Sequence, residues 1–479
     1  MRPAGVAPPV IRRCPAGIRR IPGELGIRGM IRFGLGGILM KPVWVLLAAS
    51  LLAGAQERAP LELSMKRAVE IATSPEGNTN IQLSGEALKQ AQARSAQARA
   101  SLLPDVEGAF SDESFTRNLN AFGIHIAAPI PGINFPTFVG PFSTIDARVT
   151  GSQSVFDFSS IRRFQASRVG VTAAKSDVGA TEEQVAGRVA RAYLAAVRAD
   201  ADVETAEANV ALSEAVQKQA EHQKEAGTGT GIEITRARVQ LSNDRQRLLV
   251  AQNARRRTHL ELMRAMGVRL DTELALSDKL AYVPVDAVTI EQAKAQALAE
   301  RPDYKAQQER EANARLSASA TKLERMPSVA AFGDYGANGV GFSNSVPTRT
   351  IGFSVRVPIF DGGRRDARRT ESESQYHSEK IRTNDIKDQI ELDVRLALDG
   401  LSSAEEQVKV AREGLELAEN ELTQARRRYD AGVAINLEVT DAQTRLERAR
   451  ENQTAALYNH SLSRIELAQA MGMVRRAIQ

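Results

Sequence analysis

Cysteine, tryptophan and long apolar runs are almost absent from this chain of 479 residues. The only cysteine, Cys14, and the only tryptophan, Trp44, both precede residue 56. Residues 56–479 can therefore form no disulfide and offer no thiolate as a nucleophile or metal ligand. No run of 18 apolar residues follows residue 55, so the sequence predicts no membrane-spanning helix there.

Signatures of catalysis and of cofactor binding are also missing. The sequence has no phosphate-binding loop, no nucleophile elbow and no H-E-x-x-H motif. Its five histidines have no spacing typical of metal ligands: His125, His222, His259, His377 and His460. We therefore predict that the protein is not an enzyme, has no catalytic residues, and binds no cofactor or metal of its own.

The net charge of +5 comes from the N-terminal segment. Residues 1–55 contain eight Lys or Arg residues and one Glu, which leaves the remainder of the chain with a net charge of −2. A slightly acidic remainder argues against a nucleic-acid partner.

The segment 40–55, MKPVWVLLAASLLAGA, has the features of a secretory signal peptide. It combines a lysine near its start, a short apolar run and small residues at its end. We interpret Met40 as the true start and 1–39 as an over-extended reading frame; a genuine basic pre-sequence is the alternative. A protein exported in this way is either periplasmic or built into the outer membrane as strands.

Proline placement separates two long segments from the rest of the chain. No proline lies between Pro141 and Pro284 or after Pro358, and proline disrupts helix interiors. Apolar residues in the second segment follow one another at alternating steps of four and three, the heptad pattern of a coiled coil: Ile390, Val394, Ala397, Leu401, Ala404, Val408, Ala411, Leu415, Ala418, Leu422, Ala425 and Tyr429. We predict a helix over 363–431, about 100 Å long at about 1.5 Å per residue.

The chain contains an internal repeat with an offset of 205 residues. Residues 226–241, AGTGTGIEITRARVQL, match 431–446, AGVAINLEVTDAQTRL, and LELMRAMGV at 260–268 matches IELAQAMGM at 465–473. A glycine is a common residue just beyond a helix C-terminus. Each copy is therefore predicted to form a long helical hairpin that turns at its Ala-Gly pair.

Four segments alternate with a period of two, which is typical of strands. The clearest is 349–359, and 104–116, 147–157 and 327–337 are weaker. In the first, one face is apolar: Ile351, Phe353, Val355, Val357 and Ile359. Such a strand suits a barrel in the outer membrane. Four strands would leave open edges in lipid, whereas three copies would supply twelve.

The order of these features resembles the TolC family of outer-membrane efflux proteins over residues 60–479. The resemblance rests on the signal peptide, two copies of strand–strand–long helix–glycine turn–helix, and the paired AG…(I/L)E(V/I)T turns. It implies a mostly α fold with a small β part: a homotrimer whose 12-stranded outer-membrane β-barrel continues into a coiled-coil α-barrel across the periplasm of a diderm bacterium. It also implies contact with outer-membrane lipid and docking to a periplasmic adaptor and an inner-membrane pump of the RND or ABC type.

The resemblance assigns roles to seven residues. Gly227, Gly432 and Val433 would form tips that dock the adaptor. Glu438 and Asp441 would face the pore at its constriction, where three chains would supply six carboxylates. Glu233 and Tyr429 would link neighbouring hairpins as a latch that closes the entrance. Simple alternatives are solvated first-turn carboxylates for Glu438 and Asp441, heptad packing for Tyr429, and generic hairpin ends for the glycines.

We divide the chain into a leader (1–55), a first efflux repeat (56–270), a linker (271–288) and a second efflux repeat (289–479). The predicted function is that of a passive outer-membrane channel in a tripartite export system. A dedicated outer-membrane component for heavy-metal cations is an alternative within the family. A soluble periplasmic coiled-coil or adaptor protein is an alternative of another class, although it would have no use for the apolar face of 349–359.

Overall fold

The computed structural model describes residues 61–123, 137–227, 229–286 and 288–478. The predicted signal peptide and over-extended start in 1–55 lie outside the described residues. Within the described ranges, no helix combines the length and the hydropathy needed to cross a membrane.

Helices dominate the described chain, and the order of its elements is duplicated. The first copy contains β1 (Leu61–Leu63), α1 (Met65–Thr73), α2 (Thr79–Ala100), β2 (Asp105–Asn118), β3 (Phe138–Phe156), α3 (Phe158–Glu225) and α4 (Gly231–Met266). The short strand β4 (Leu274–Leu276) follows. The second copy contains α5 (Ile290–Glu300), α6 (Pro302–Leu323), β5 (Ser328–Gly339), β6 (Val346–Arg356), α7 (Arg364–Asp430), α8 (Asn436–Ala470) and α9 (Val474–Ile478).

The four longer strands form one antiparallel sheet in the order β2-β3-β5-β6. Each copy supplies one hairpin, and the pairing of β3 with β5 joins the two copies. The predicted start of β3 at 147 was wrong, because the ladder with β2 continues back to Phe138. The predicted end of the last strand at 359 was also wrong. Its ladder stops where Arg356 pairs with Ser328, the first residue of β5, so later residues have no partner strand.

The long helices confirm the heptad prediction. Helix α7 has 67 residues and α3 has 68, so each extends about 100 Å at about 1.5 Å per residue. Ten of the twelve predicted seam residues of α7 are buried, including Ile390 and Val394 with no exposed surface. The seam therefore faces neighbouring helices, as a coiled-coil pattern requires.

The helices pack side by side in two sets, and helix α3 belongs to both. Helix α3 contacts α2 and α6, for example where Asn313 donates to the carbonyl of Ala166 at 2.6 Å. Nearer the hairpin turns, α3 contacts α4 and α8, and α8 in turn contacts α7. The order near the turns is thus α4-α3-α8-α7, which leaves α4 and α7 as the outer helices of the set.

A second, parallel sheet of two strands was not anticipated. β1 pairs with β4, which lies within the predicted linker. The Tyr193 hydroxyl donates to the Leu63 carbonyl at 2.8 Å and to Asp278 Oδ2 at 2.9 Å. This sheet covers a core in which residues near both ends of the described chain pack with residues of α3 and α4: Leu63, Val185, Val189, Leu262, Met266 and Val474.

Candidate functional site: the helical hairpin tips

The first tip is the turn between α3 and α4. Gly227 has a φ of 75°, a left-handed conformation that glycine adopts without steric cost. The Gly229 N–H then donates to the Gln223 carbonyl at 2.9 Å, which satisfies one of the free carbonyls at the end of α3. The Thr230 N–H donates to Glu233 Oε2 at 2.9 Å, so Glu233 caps its own helix in this conformation.

The second tip, between α7 and α8, is closed by two backbone hydrogen bonds. Gly432 has a φ of 71°. Its N–H donates to the Tyr429 carbonyl, and the Val433 N–H donates to the Arg428 carbonyl, both at 3.0 Å. This is a Schellman-type helix end. Val433 and Ile435 project from it, with 68% and 61% of their surface exposed.

Side chains join the two tips within one chain. The Tyr429 hydroxyl donates to Gln223 Oε1, and Gln219 Nε2 donates to Asp430 Oδ1 at 2.7 Å. Burial raises the pKa of Tyr429, and the nearby negative charge of Glu233 raises it further. The tyrosine ring is buried in the seam as the packing alternative requires, while its hydroxyl bridges two hairpins.

The residues predicted for the constriction lie in the first two turns of α8. Glu438 Oε1 is 3.2 Å from Arg428 Nε, an ion pair between α8 and the end of α7. Asp441 lies three residues further and is exposed. Residues three apart share one helix face, so both carboxylates lie on the same side of α8. The sequence analysis did not predict the pairing with Arg428. Its positive charge offsets one of the two negative charges that Glu438 and Asp441 contribute in each chain.

The structure thus brings Tyr429, Glu233 and both glycine turns to one end of the helical set. Sequence reasoning missed Gln219, Gln223, Asp430 and Arg428. A glutamine or arginine on a solvated helix carries no periodic signal of its own. Among the described residues, no group of three or more His, Cys, Asp or Glu side chains could hold a metal ion.

Comparison with known families gives one match over most of the chain. The outer membrane efflux protein family matches residues 76–268 and 294–473, that is, both copies of the repeat.

The chain is also similar to individual outer-membrane proteins, in sequence or in fold. The pyoverdine export outer membrane protein OpmQ of Pseudomonas putida is 23% identical over 393 residues, covering 80% of this chain and 81% of that protein. The fold is similar to that of the CmeC outer membrane channel of Campylobacter jejuni, with a TM-score of 0.72, 17% identity and 85% of each chain covered. It is also similar to the outer membrane protein VceC of Vibrio cholerae, with a TM-score of 0.71, 18% identity, and 85% of this chain and 96% of that one covered.

Proposed function

Because the chain belongs to the outer membrane efflux protein family, we propose that it is a passive outer-membrane duct that works with a periplasmic adaptor and an inner-membrane pump. The family and the fold are those of outer-membrane channel proteins rather than enzymes. The observation that carries the proposal is the duplicated strand pair followed by a helical hairpin whose first helix is about 100 Å long. A soluble periplasmic coiled coil would not need the exposed apolar face of β6, where Ile351 and Phe353 are 82% and 75% exposed.

We propose that three copies assemble through the outer helices α4 and α7. Each carries exposed apolar residues at multiples of seven: Ile232, Val239 and Leu260 on α4, and Leu396, Val410 and Leu417 on α7. Helix α4 has eight arginines and three carboxylates, whereas residues 403–421 of α7 have six glutamates, one lysine and one arginine. Apolar stripes flanked by opposite charges favour α4 of one copy against α7 of the next. Such a head-to-tail contact closes into a ring.

We further propose that the tips at Gly227 and Gly432 dock the adaptor, with Val433 as a contact residue. Support comes from the exposed apolar side chains of Val433 and Ile435 beside the hydrogen-bonded turn at Gly432. Exposed apolar groups gathered at one end of a helical set are typical of an interaction surface.

We also propose a constriction and a latch among residues close to the same tips. Glu438 and Asp441 would give three chains six carboxylates, partly neutralised by three copies of Arg428. Tyr429 would act as a latch by holding the α7 tip to α3 through Gln223, with the negative charge of Glu233 nearby. Opening the tunnel would then require this contact to break.

The adaptor proposal is tested by crosslinking in living cells. Residues 56–479 contain no cysteine, so Val433→Cys introduces a single reactive site into that part of the chain. We expect a bifunctional crosslinker at this position to capture a periplasmic adaptor, identified by mass spectrometry. The matched control is Leu83→Cys, which is equally exposed but lies on α2, and it should capture no adaptor. Normal export with no adaptor captured at Val433 or its neighbours would contradict docking at the tips.

A further inference from the structure

A cluster of buried polar side chains lies between the two helical hairpins, away from the tips. Asp244 on α4 is 1% exposed, and the side chain of Glu447 on α8 is 7% exposed. Asp244 is 13 residues from the first residue of α4, or about 20 Å at about 1.5 Å per residue. The cluster is therefore distinct from the proposed constriction and latch.

One arginine contacts both carboxyl groups. Arg247 Nη1 is 3.4 Å from Asp244 Oδ1 and also donates to Glu447 Oε2. Asp244 accepts further hydrogen bonds from the Ser213 hydroxyl on α3 and from Gln240 Nε2 at 3.1 Å. The cluster thus links α3 and α4 of the first hairpin to α8 of the second.

The charges in this cluster do not balance if both acids are ionised. Two buried carboxylates would then face one guanidinium, whose side chain is 53% exposed. A like charge and the loss of solvent both favour the neutral form of a carboxyl group. Burial raises the pKa of Glu447, and the negative charge of Asp244 and a hydrogen bond with that residue raise it further, against the opposite effect of Arg247.

The charged groups around the cluster contact other partners. On α4 and α3, Arg245 pairs with Glu214 at 2.8 Å. On α8, Arg450 contacts Asn209 at 3.4 Å, and Glu451 adds a further negative charge near Arg247. On α7, Glu421 pairs with Arg445. Arg247 is therefore the cation whose described contacts reach both carboxyl groups.

We propose that Glu447 carries a proton and, with Asp244 and Arg247, forms a lock that holds the two hairpins together until that proton is lost. In the locked form Glu447 adds no charge to the cluster. When the proton leaves, two adjacent carboxylates on different hairpins repel each other. Separation of α4 from α8 relieves this repulsion and lets water reach both groups. The lock would make the conduit more open as the pH rises.

The inference rests on the proposed duct, and conductance tests it. The full-length protein is inserted into planar bilayers, and its conductance is recorded between pH 5.5 and pH 9. We expect the wild type to show an increase with pH, and Glu447→Gln, which mimics the protonated acid, to lose that increase and keep the low-pH conductance. The control Glu466→Gln makes the same charge change at an exposed position of α8 outside the cluster and should keep the wild-type response.

Infrared spectroscopy of the same samples follows the proton itself. The wild type should show a protonated-carboxyl band that disappears over the pH range of the conductance change, and Glu447→Gln should lack that band. Conductance independent of pH in the wild type, or an unchanged response in Glu447→Gln, would overturn the lock. Correctly folded protein that passes no current at any pH would instead contradict the proposed duct.

Discussion

At the scale of single residues, the tips combine backbone requirements with side-chain contacts. Gly227 and Gly432 are needed because a left-handed turn is strained for other residues. Tyr429 contributes its ring to the seam and its hydroxyl to a contact between hairpins. Glu438 is already paired with Arg428 within its own chain. Tyr429 therefore contributes both to helix packing and to a contact between hairpins, which a sequence pattern alone does not separate.

The proposed constriction at Glu438 and Asp441 predicts a change in ion selectivity. Glu438→Ala combined with Asp441→Ala should weaken cation preference and block by divalent cations, because a ring of carboxylates concentrates cations. Arg428→Gln should have the opposite effect, since it leaves Glu438 unpaired. Reversal potentials of the channel in planar bilayers under a salt gradient measure both. The pair Asp385→Ala and Asp388→Ala, with the same spacing at exposed positions of α7, is the control. Unchanged selectivity in the first double variant would remove these residues from the pore.

At the scale of elements, the long helices follow from heptads and from the absence of proline, whereas the short helices do not. Helix α2 buries only Ile81, and α6 buries Ala306, Gln307 and Ala320. So few large apolar residues give no clear period. These helices form because the sides of α3 and α7 offer them a surface, so tertiary packing outweighs weak local signals.

His460 gives a prediction about how α8 packs under the linker. It is 0% exposed, neither ring nitrogen has a hydrogen-bond partner among the described residues, and its ring lies 4.8 Å from that of Tyr282. Burial lowers the pKa of His460, and the positive charge of Arg464 lowers it further. The folded protein therefore keeps the ring neutral at a pH where the unfolded chain, with a pKa of about 6.5, binds a proton.

The stability contributed by neutral His460 is thus complete above a pH of about 6.5 and decreases as the pH falls below it, by up to about 1.4 kcal/mol per pH unit. We expect the melting temperature of the wild type in detergent to fall more between pH 7.5 and pH 5.5 than that of His460→Leu. His377→Leu, at an exposed position of α7, should behave as the wild type does. Equal pH dependence in all three proteins would show that His460 does not titrate with unfolding.

At the scale of the whole molecule, the proposed assembly depends on the two outer helices of the helical set. The order α4-α3-α8-α7 leaves two outer helices with apolar stripes and opposite charges. Asn253 lies 22 residues from the first residue of α4, and Val410 lies 20 residues from the last residue of α7. Both are therefore about 30 Å from the tips at about 1.5 Å per residue, so neighbouring copies would bring them together.

Disulfide formation checks this contact. In the double variant Asn253→Cys with Val410→Cys, mild oxidation should produce covalently linked dimers and trimers on denaturing gels, because each contact joins a different pair of chains. The control is the double variant Asn253→Cys with Leu396→Cys. Its cysteine on α7 lies 14 residues from Val410, about 21 Å along the helix, so this variant should remain monomeric on the gel. Crosslinking in the control but not in the first variant would refute the proposed pairing.

The sequence by itself determined the elements that depend on local chemistry and on repetition. Proline positions and heptads specified the long helices, glycines specified the turns, and alternation specified β6, because each of these signals acts within a few residues. The tertiary structure alone decided which side chains meet. Neither the pairing of Arg247 with Glu447, nor that of Tyr429 with Gln223, nor the β1–β4 sheet could be read from spacing. Their partners lie up to 213 residues apart, and only the packing of the two copies brings them into contact.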